Sequence, residues 1–119
     1  MTPIAVITTV GSRAEAQALA HALVQRRLAA CAQISDIHSV YRWQGEVQRA
    51  DECRVVLKTT RERYAQVEQA IRELHTYELP AIHAWAFDAI HAPYAEWIVQ
   101  SCDAPVQAPV THPSGASSR

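Results

Sequence analysis

The chain opens on Ile4-Ala5-Val6-Ile7-Thr8-Thr9-Val10, an unbroken run of apolar and β-branched residues. A strand without apolar–polar alternation is covered on both faces, so this run predicts a central strand. Gly11-Ser12 ends it, and Ser12 with Glu15 has the spacing of a capping box at a helix start. Ala16, Leu19, Ala20, Leu23 and Val24 then recur at helical spacing. They predict a helix over 13–27, with Arg26-Arg27 at its negative end.

The period changes after that. Cys31 to Trp43 alternates loosely and is rich in β-branched and aromatic residues, Gln44-Gly45 gives a turn, and Val47 to Thr59 returns as a second arm. Arms of about 13 residues reach roughly 40 Å at ~3.3 Å per residue, where a typical strand has ~5–6 residues. A chain of 119 residues is too small to cover such arms from its own sequence, so the outer half of the hairpin is expected to pair with another subunit. Thr59-Thr60 before Arg61-Glu62 repeats the capping spacing and predicts a second helix with the apolar face Tyr64, Val67, Ile71 and Leu74. Pro80 ends it, because the residue before a proline avoids helical geometry.

Ala81 to Phe87 reads as a fourth strand. Pro93 opens a short helix whose Tyr94, Trp97 and Ile98 are expected to face inward. Residues 103–119 hold three of the six prolines together with Ser, Gly and Ala, which predicts a flexible tail behind a single domain of residues 1–102. The order β-α-β-β-α-β, then α, is that of an α+β, ferredoxin-like sandwich, an antiparallel sheet with two helices on one face. Its other face needs a cover, a second reason to expect a homo-oligomer.

Composition narrows the classes. With 49% hydrophobic and 19% charged residues the chain is a packed globule, and its net charge of −1 argues against a nucleic-acid partner. No apolar run approaches the ~20 residues that cross a bilayer, so no membrane role is expected. The N-terminus enters the first strand without a basic region or cleavage site. Cys31, Cys53 and Cys102 lack a C-x-x-C spacing and read as reduced thiols of a cytoplasmic protein.

Candidate chemistry is sparse. His21, His38, His75, His83 and His91 show no recognised ligand spacing, and only His75 stands apart, ending a helix beside Tyr77, Glu78 and Pro80. Cys31 has no histidine and carboxylate placed beside it, and reads as a small buried hydrophobe. Gly11-Ser12 leads into a helix N-terminus, which suits an anion or is an ordinary tight turn. Lys58 is the only lysine and follows Val55-Val56-Leu57, so it either faces an edge or needs a carboxylate or anion partner. No nucleophile with a poised base can be assembled, so no enzymatic activity is expected.

Five motifs together are more specific. Arg27-Leu28-Ala29-Ala30-Cys31-Ala32, Ser39-Val40-Tyr41-Arg42-Trp43-Gln44-Gly45, Leu57-Lys58-Thr59-Thr60-Arg61, Glu73-Leu74-His75-Thr76-Tyr77-Glu78-Leu79-Pro80 and Tyr94-x-x-Trp97-Ile98 closely resemble the CutA divalent-cation tolerance family over residues 4 to about 102. The resemblance implies a ferredoxin-like fold in a cytoplasmic, non-enzymatic, PII-like homotrimer with embracing hairpins, linked to tolerance of copper and other divalent cations. It also implies an inter-subunit cleft for a metal ion or a small ligand, around Cys31, Tyr41, Trp43, Lys58, His75, Tyr77 and Glu78. The alternative within it is a signalling module that binds a small anion there. Where some copper-binding members carry a cysteine and a histidine pair, this chain has Thr8 and Leu74-His75, and Thr76 replaces a usual proline. His75 is the one candidate metal ligand left, and a lone imidazole holds Cu(II) modestly. A metal shared across the trimer axis, or by His75 with Glu78 or Cys31, stays open. Lys58 and Glu78 are expected to pair or share an ion, with His75 and Trp43 in the same cleft.

Overall fold

The computed structural model describes residues 1–102, and the predicted tail, 103–119, lies outside the described residues. Strands β1 (Pro3–Val10), β2 (Cys31–Trp43), β3 (Glu46–Thr60) and β4 (Ile82–Ala86) form one sheet in the order β2-β3-β1-β4, every neighbouring pair antiparallel. Helices α1 (Arg13–Gln25) and α2 (Tyr64–Leu74) fill the two crossovers, and α3 (Ala92–Cys102) follows β4. This is the ferredoxin-like α+β sandwich, with β1 central as its apolar run requires.

The core lies between the sheet and α1 and α2. Ile4, Val6 and Val10 of β1 and Val55 and Leu57 of β3 meet Leu19 and Leu23 of α1 and Val67 and Ile71 of α2. Alternation then turns Ala5, Lys58 and Cys31, which are cross-strand partners, to the opposite face. Helix α3 covers part of that face. Its Tyr94 meets Lys58 and Cys31, while Cys102 at its far end reaches Thr59. His83, Trp85 and Gln33 on the rest of that face stay exposed.

The hairpin outruns its support. β2 and β3 pair over thirteen residues from Cys31↔Lys58 to Trp43↔Glu46, but β1 flanks β3 only from Cys53 to Thr60. The outer half therefore projects, with Val40 and Val47 each 62% exposed. At its tip Gln44 and Gly45 have φ of 50° and 82°. Two successive positive φ values are what a two-residue turn of the I′ kind demands, because it matches the twist of the strands.

Helix ends depart from the sequence reading in two places. α1 stops at Gln25, not 27, because Arg27 turns left-handed (φ 60°). There the Leu28 N–H reaches the Leu23 carbonyl and the Arg27 N–H that of Val24, a Schellman closure with Arg where Gly is usual. Before α2, the Thr59–Glu62 capping box does not form. Thr59 Oγ1 instead donates to the Leu28 carbonyl at 2.6 Å, and residues Arg61–Arg63 make a tight 3₁₀ turn. Glu62 accepts from the Thr2 backbone N–H at 3.1 Å, and that bond holds its carboxyl below the usual range. α2 ends at Leu74 with an extended His75 as its cap, where the sequence places the end. The Ser12 cap, by contrast, is present, with its Oγ accepting the Glu15 N–H at 3.2 Å.

Candidate functional site

A groove of about 860 Å³ opens where the outer half of the hairpin stands over residues 75–81, the link from α2 to β4. The hairpin contributes Tyr41, Arg42, Trp43 and Glu52, and the link contributes Tyr77, Glu78 and Leu79. Thr9, at the end of β1, forms part of the floor. The projecting hairpin makes the groove: one residue after β1 loses register with β3, β3 presents Glu52 to the link.

His75 fixes the link. Its Nδ1 accepts the Tyr77 backbone N–H at 3.0 Å, and a neutral imidazole that accepts at one nitrogen carries its proton on the other. Nε2 therefore donates, to the Thr9 carbonyl at 2.7 Å. Tyr77 lies against the His75 ring, with centroids 4.7 Å apart, and reaches over Gly11 to donate its hydroxyl to Glu52 at 2.8 Å. A Cβ on Gly11 would stand 3.3 Å from that hydroxyl, so the glycine makes room for the tyrosine. Desolvation first, and the neighbouring Glu52 second, push the Tyr77 hydroxyl up to about 12. Thr76 Oγ1 donates to Glu15 at 3.1 Å, fastening the link to the first turn of α1. At the start of α1 the Ser12 Oγ takes the Glu15 N–H, and the Ser12 carbonyl takes that of Ala16.

Of the seven residues singled out in the sequence, Tyr41, Trp43, Tyr77 and Glu78 line the groove. His75 stands behind it, clamped on Thr9 rather than lining it as expected alongside Trp43. Cys31 and Lys58 lie elsewhere, under α3. Lys58 Nζ donates to Gln33 Oε1 at 3.2 Å and to the Tyr94 hydroxyl at 3.3 Å, and sits 5.7 Å from the Tyr94 ring centre. Among the described residues of one chain Lys58 does not pair with Glu78: the lysine meets neutral oxygens and an aromatic ring instead. Cys31 Sγ lies 3.9 Å from the same hydroxyl.

Trp97 is 44% exposed rather than inward, because it stacks on the outer side of Tyr94 while Ile98 and Cys102, four apart, take the buried stripe of α3. Sequence reasoning missed Glu52, Arg42 and Tyr94. Glu52 carries no local signal, since its partner Tyr77 is 25 residues away. Tyr94 was legible only as an apolar helix position.

These donors do not fit a resident metal ion. Among the described residues no three His, Cys, Asp or Glu side chains gather as a ligand set. Thr8, where the resemblance implies a cysteine in some copper-binding members, has a fully buried hydroxyl without a hydrogen-bond partner among the described residues, turned into the helix-covered core beside Val55 and Ile82. An alcohol is a poor Cu(II) donor, and both nitrogens of His75 are already engaged.

Residues 4–101 match the family described as CutA1 divalent ion tolerance protein. The divalent-cation tolerance protein CutA of Thermus thermophilus is 37% identical over 94 residues, 78% of this chain and 91% of that protein. Among solved structures, CutA from Synechococcus elongatus PCC7942 superposes with a TM-score of 0.82 at 37% identity, covering 85% of this chain and 90% of that one. The protein described as the periplasmic divalent cation tolerance protein CutA from Archaeoglobus fulgidus gives 0.82 at 29% identity, covering 84% and 98%.

Proposed function

The chain belongs to the CutA1 divalent ion tolerance family, and from that premise we propose that it serves divalent-cation tolerance as a non-enzymatic, cytoplasmic homotrimer. In this reading the groove takes a small ligand, and copper or another divalent cation binds only where donors from more than one chain combine. The observation that carries it is the double engagement of His75, which leaves the one candidate ligand of the chain without a free nitrogen. The trimer is supported by the unsupported outer hairpin with exposed Val40 and Val47, and by the short edge strand β4 with Trp85 52% exposed. Exposed edges and apolar arms of this kind are ordinarily covered by another chain. Three free, buried thiols suit a reducing compartment. Cys31 Sγ meets the Tyr94 hydroxyl at 3.9 Å.

Native mass spectrometry of untagged protein, with Cu(II) and with a chelator, tests the reading. The expected result is a trimer mass without one tightly held copper per chain. A monomer, or one copper per chain that disappears in His75→Ala, overturns it. A second reading, an anion-binding signalling module, draws on Lys58, whose ammonium meets only neutral acceptors. It predicts that Lys58→Ala abolishes anion binding while the trimer persists.

A further inference from the structure

The groove has a definite chemical character. Its walls are aromatic on both sides, with Tyr41 and Trp43 from the hairpin and Tyr77 from the link. Its charge is negative. Glu52 accepts one hydrogen bond, from the neutral Tyr77 hydroxyl, and the Glu78 carboxylate meets no hydrogen-bond or ion-pair partner among the described residues. Two basic residues share the lining: Arg42, which donates to the Gly45 carbonyl at the hairpin tip at 3.4 Å, and His38, whose Nδ1 lies 2.8 Å from Asp51; the two carboxylates outnumber the one guanidinium.

Aromatic faces carry negative charge density and attract a cation placed over them, and carboxylates add charge-assisted hydrogen bonds. A metal ion cannot use this set well, since it wants several oxygen, nitrogen or sulfur donors close around it, and ring faces supply none. An ammonium or guanidinium group uses both. The volume of about 860 Å³ lies in the ~300–1,000 Å³ range of small-molecule sites, larger than a bare ammonium ion needs.

We propose that this groove binds an organic cation of metabolite size, its ammonium or guanidinium group seated among Tyr41, Trp43 and Tyr77 and paired with Glu52 and Glu78. The inference rests on the reading of the groove as a ligand site and names the class of ligand.

The chain holds three tryptophans in distinct places, so the indole N–H resonances of the full-length protein report on site as well as binding. Trp43 lines the groove, whereas Trp85 lies on β4 and Trp97 stacks on Tyr94. Agmatine and tetramethylammonium are the cationic probes, and 1,5-pentanediol is the uncharged one. The cations should move the Trp43 resonance saturably and leave Trp85 and Trp97 in place, and the diol should not. Glu78→Gln, an exposed position that leaves the fold intact, should weaken agmatine at least fivefold. A diol response equal to that of the cations would keep the groove as a ligand site and overturn the cation assignment. Affinity unchanged by Glu78→Gln would also overturn it, as would Zn(II) displacing agmatine with an affinity lost in Glu52→Gln. Silence of Trp43 toward every probe would remove both the cation assignment and the ligand-site reading.

Discussion

His75 and Thr9 are joined by a 2.7 Å hydrogen bond from the imidazole Nε2 to the strand carbonyl. Through it the link between α2 and β4 is hung on the end of the central strand, sixty-six residues away in sequence. With Nδ1 accepting from the Tyr77 N–H, the ring acts as a bracket that holds Tyr77 over Gly11 and against Glu52. The histidine that sequence marks as a metal ligand is, in the structure, what gives the groove one of its walls.

Removing the bracket should cost stability. His75→Ala deletes two hydrogen bonds at a half-buried position and leaves the Thr9 carbonyl and Tyr77 N–H to find other partners. The expected loss is about 1–3 kcal/mol, read by urea unfolding at fixed protein concentration. A loss below about 0.5 kcal/mol, the low end for one hydrogen bond, would show that the link is held by other contacts.

Tyr77 makes the fold sensitive to alkali. Its hydroxyl is pushed up to about 12, while an unfolded tyrosine titrates near ~10. Since the folded value is the higher one, the contribution of Tyr77 is complete below pH ~10 and is lost as pH rises through about 12. Ionisation would place a phenolate beside the Glu52 carboxylate. Tyr77 is 37% exposed, so solvent screens the effect and its direction is what matters. Melting temperatures measured from pH 9 to 12 should fall less steeply for Tyr77→Phe than for the natural chain; parallel curves would sink the assignment.

Much of the fold is legible in the sequence because its signals are local. The unbroken run of β1, the Ser12 cap and the 3.6-residue period of α2 each need fewer than a dozen neighbours to be read. The three aromatic residues of the groove wall, Tyr41, Trp43 and Tyr77, came from motifs as well. What could not be read are pairings decided by register and by the ends of elements. Glu52 becomes a partner of Tyr77 only because β1 stops at Val10, opposite Cys53. Lys58 looks in sequence as if it needs a carboxylate, yet alternation turns it to the α3 face, where Gln33 and Tyr94 meet it. The early stop of α1 depends on a left-handed arginine that no propensity rule favours.

The hairpin tip carries strain that a single change should release. Gln44 sits at φ 50°, in the left-handed region where a side chain such as glutamine is disfavoured by roughly 1–2 kcal/mol. Asn-Gly is the preferred pair for this turn, because asparagine tolerates that geometry. Gln44→Asn should therefore raise stability by about 0.5–1 kcal/mol, read by urea unfolding at fixed protein concentration. A destabilised variant would mean that the glutamine makes a contact at the tip in the assembled protein that outweighs the strain.

Thr8 is the place where one substitution should improve the core. Its side chain is fully buried in β1, cross-strand from Val55 and Ile82, and its hydroxyl has no hydrogen-bond partner. Leaving a buried polar group unmatched costs about 1–3 kcal/mol, most of it the water lost on burial. Valine has nearly the same shape and no hydroxyl, so Thr8→Val removes the penalty without opening a cavity. We expect about 1 kcal/mol of added stability, the low end of that range because the hydroxyl oxygen also packs against its neighbours. Thr8→Ser is the control: it keeps the hydroxyl, loses a buried methyl and should destabilise by about 1 kcal/mol, close to the value of one buried carbon. Urea unfolding of the three proteins at equal concentration separates the cases. If Thr8→Val is less stable than the natural chain, the hydroxyl is satisfied inside the core and the orphan assignment falls.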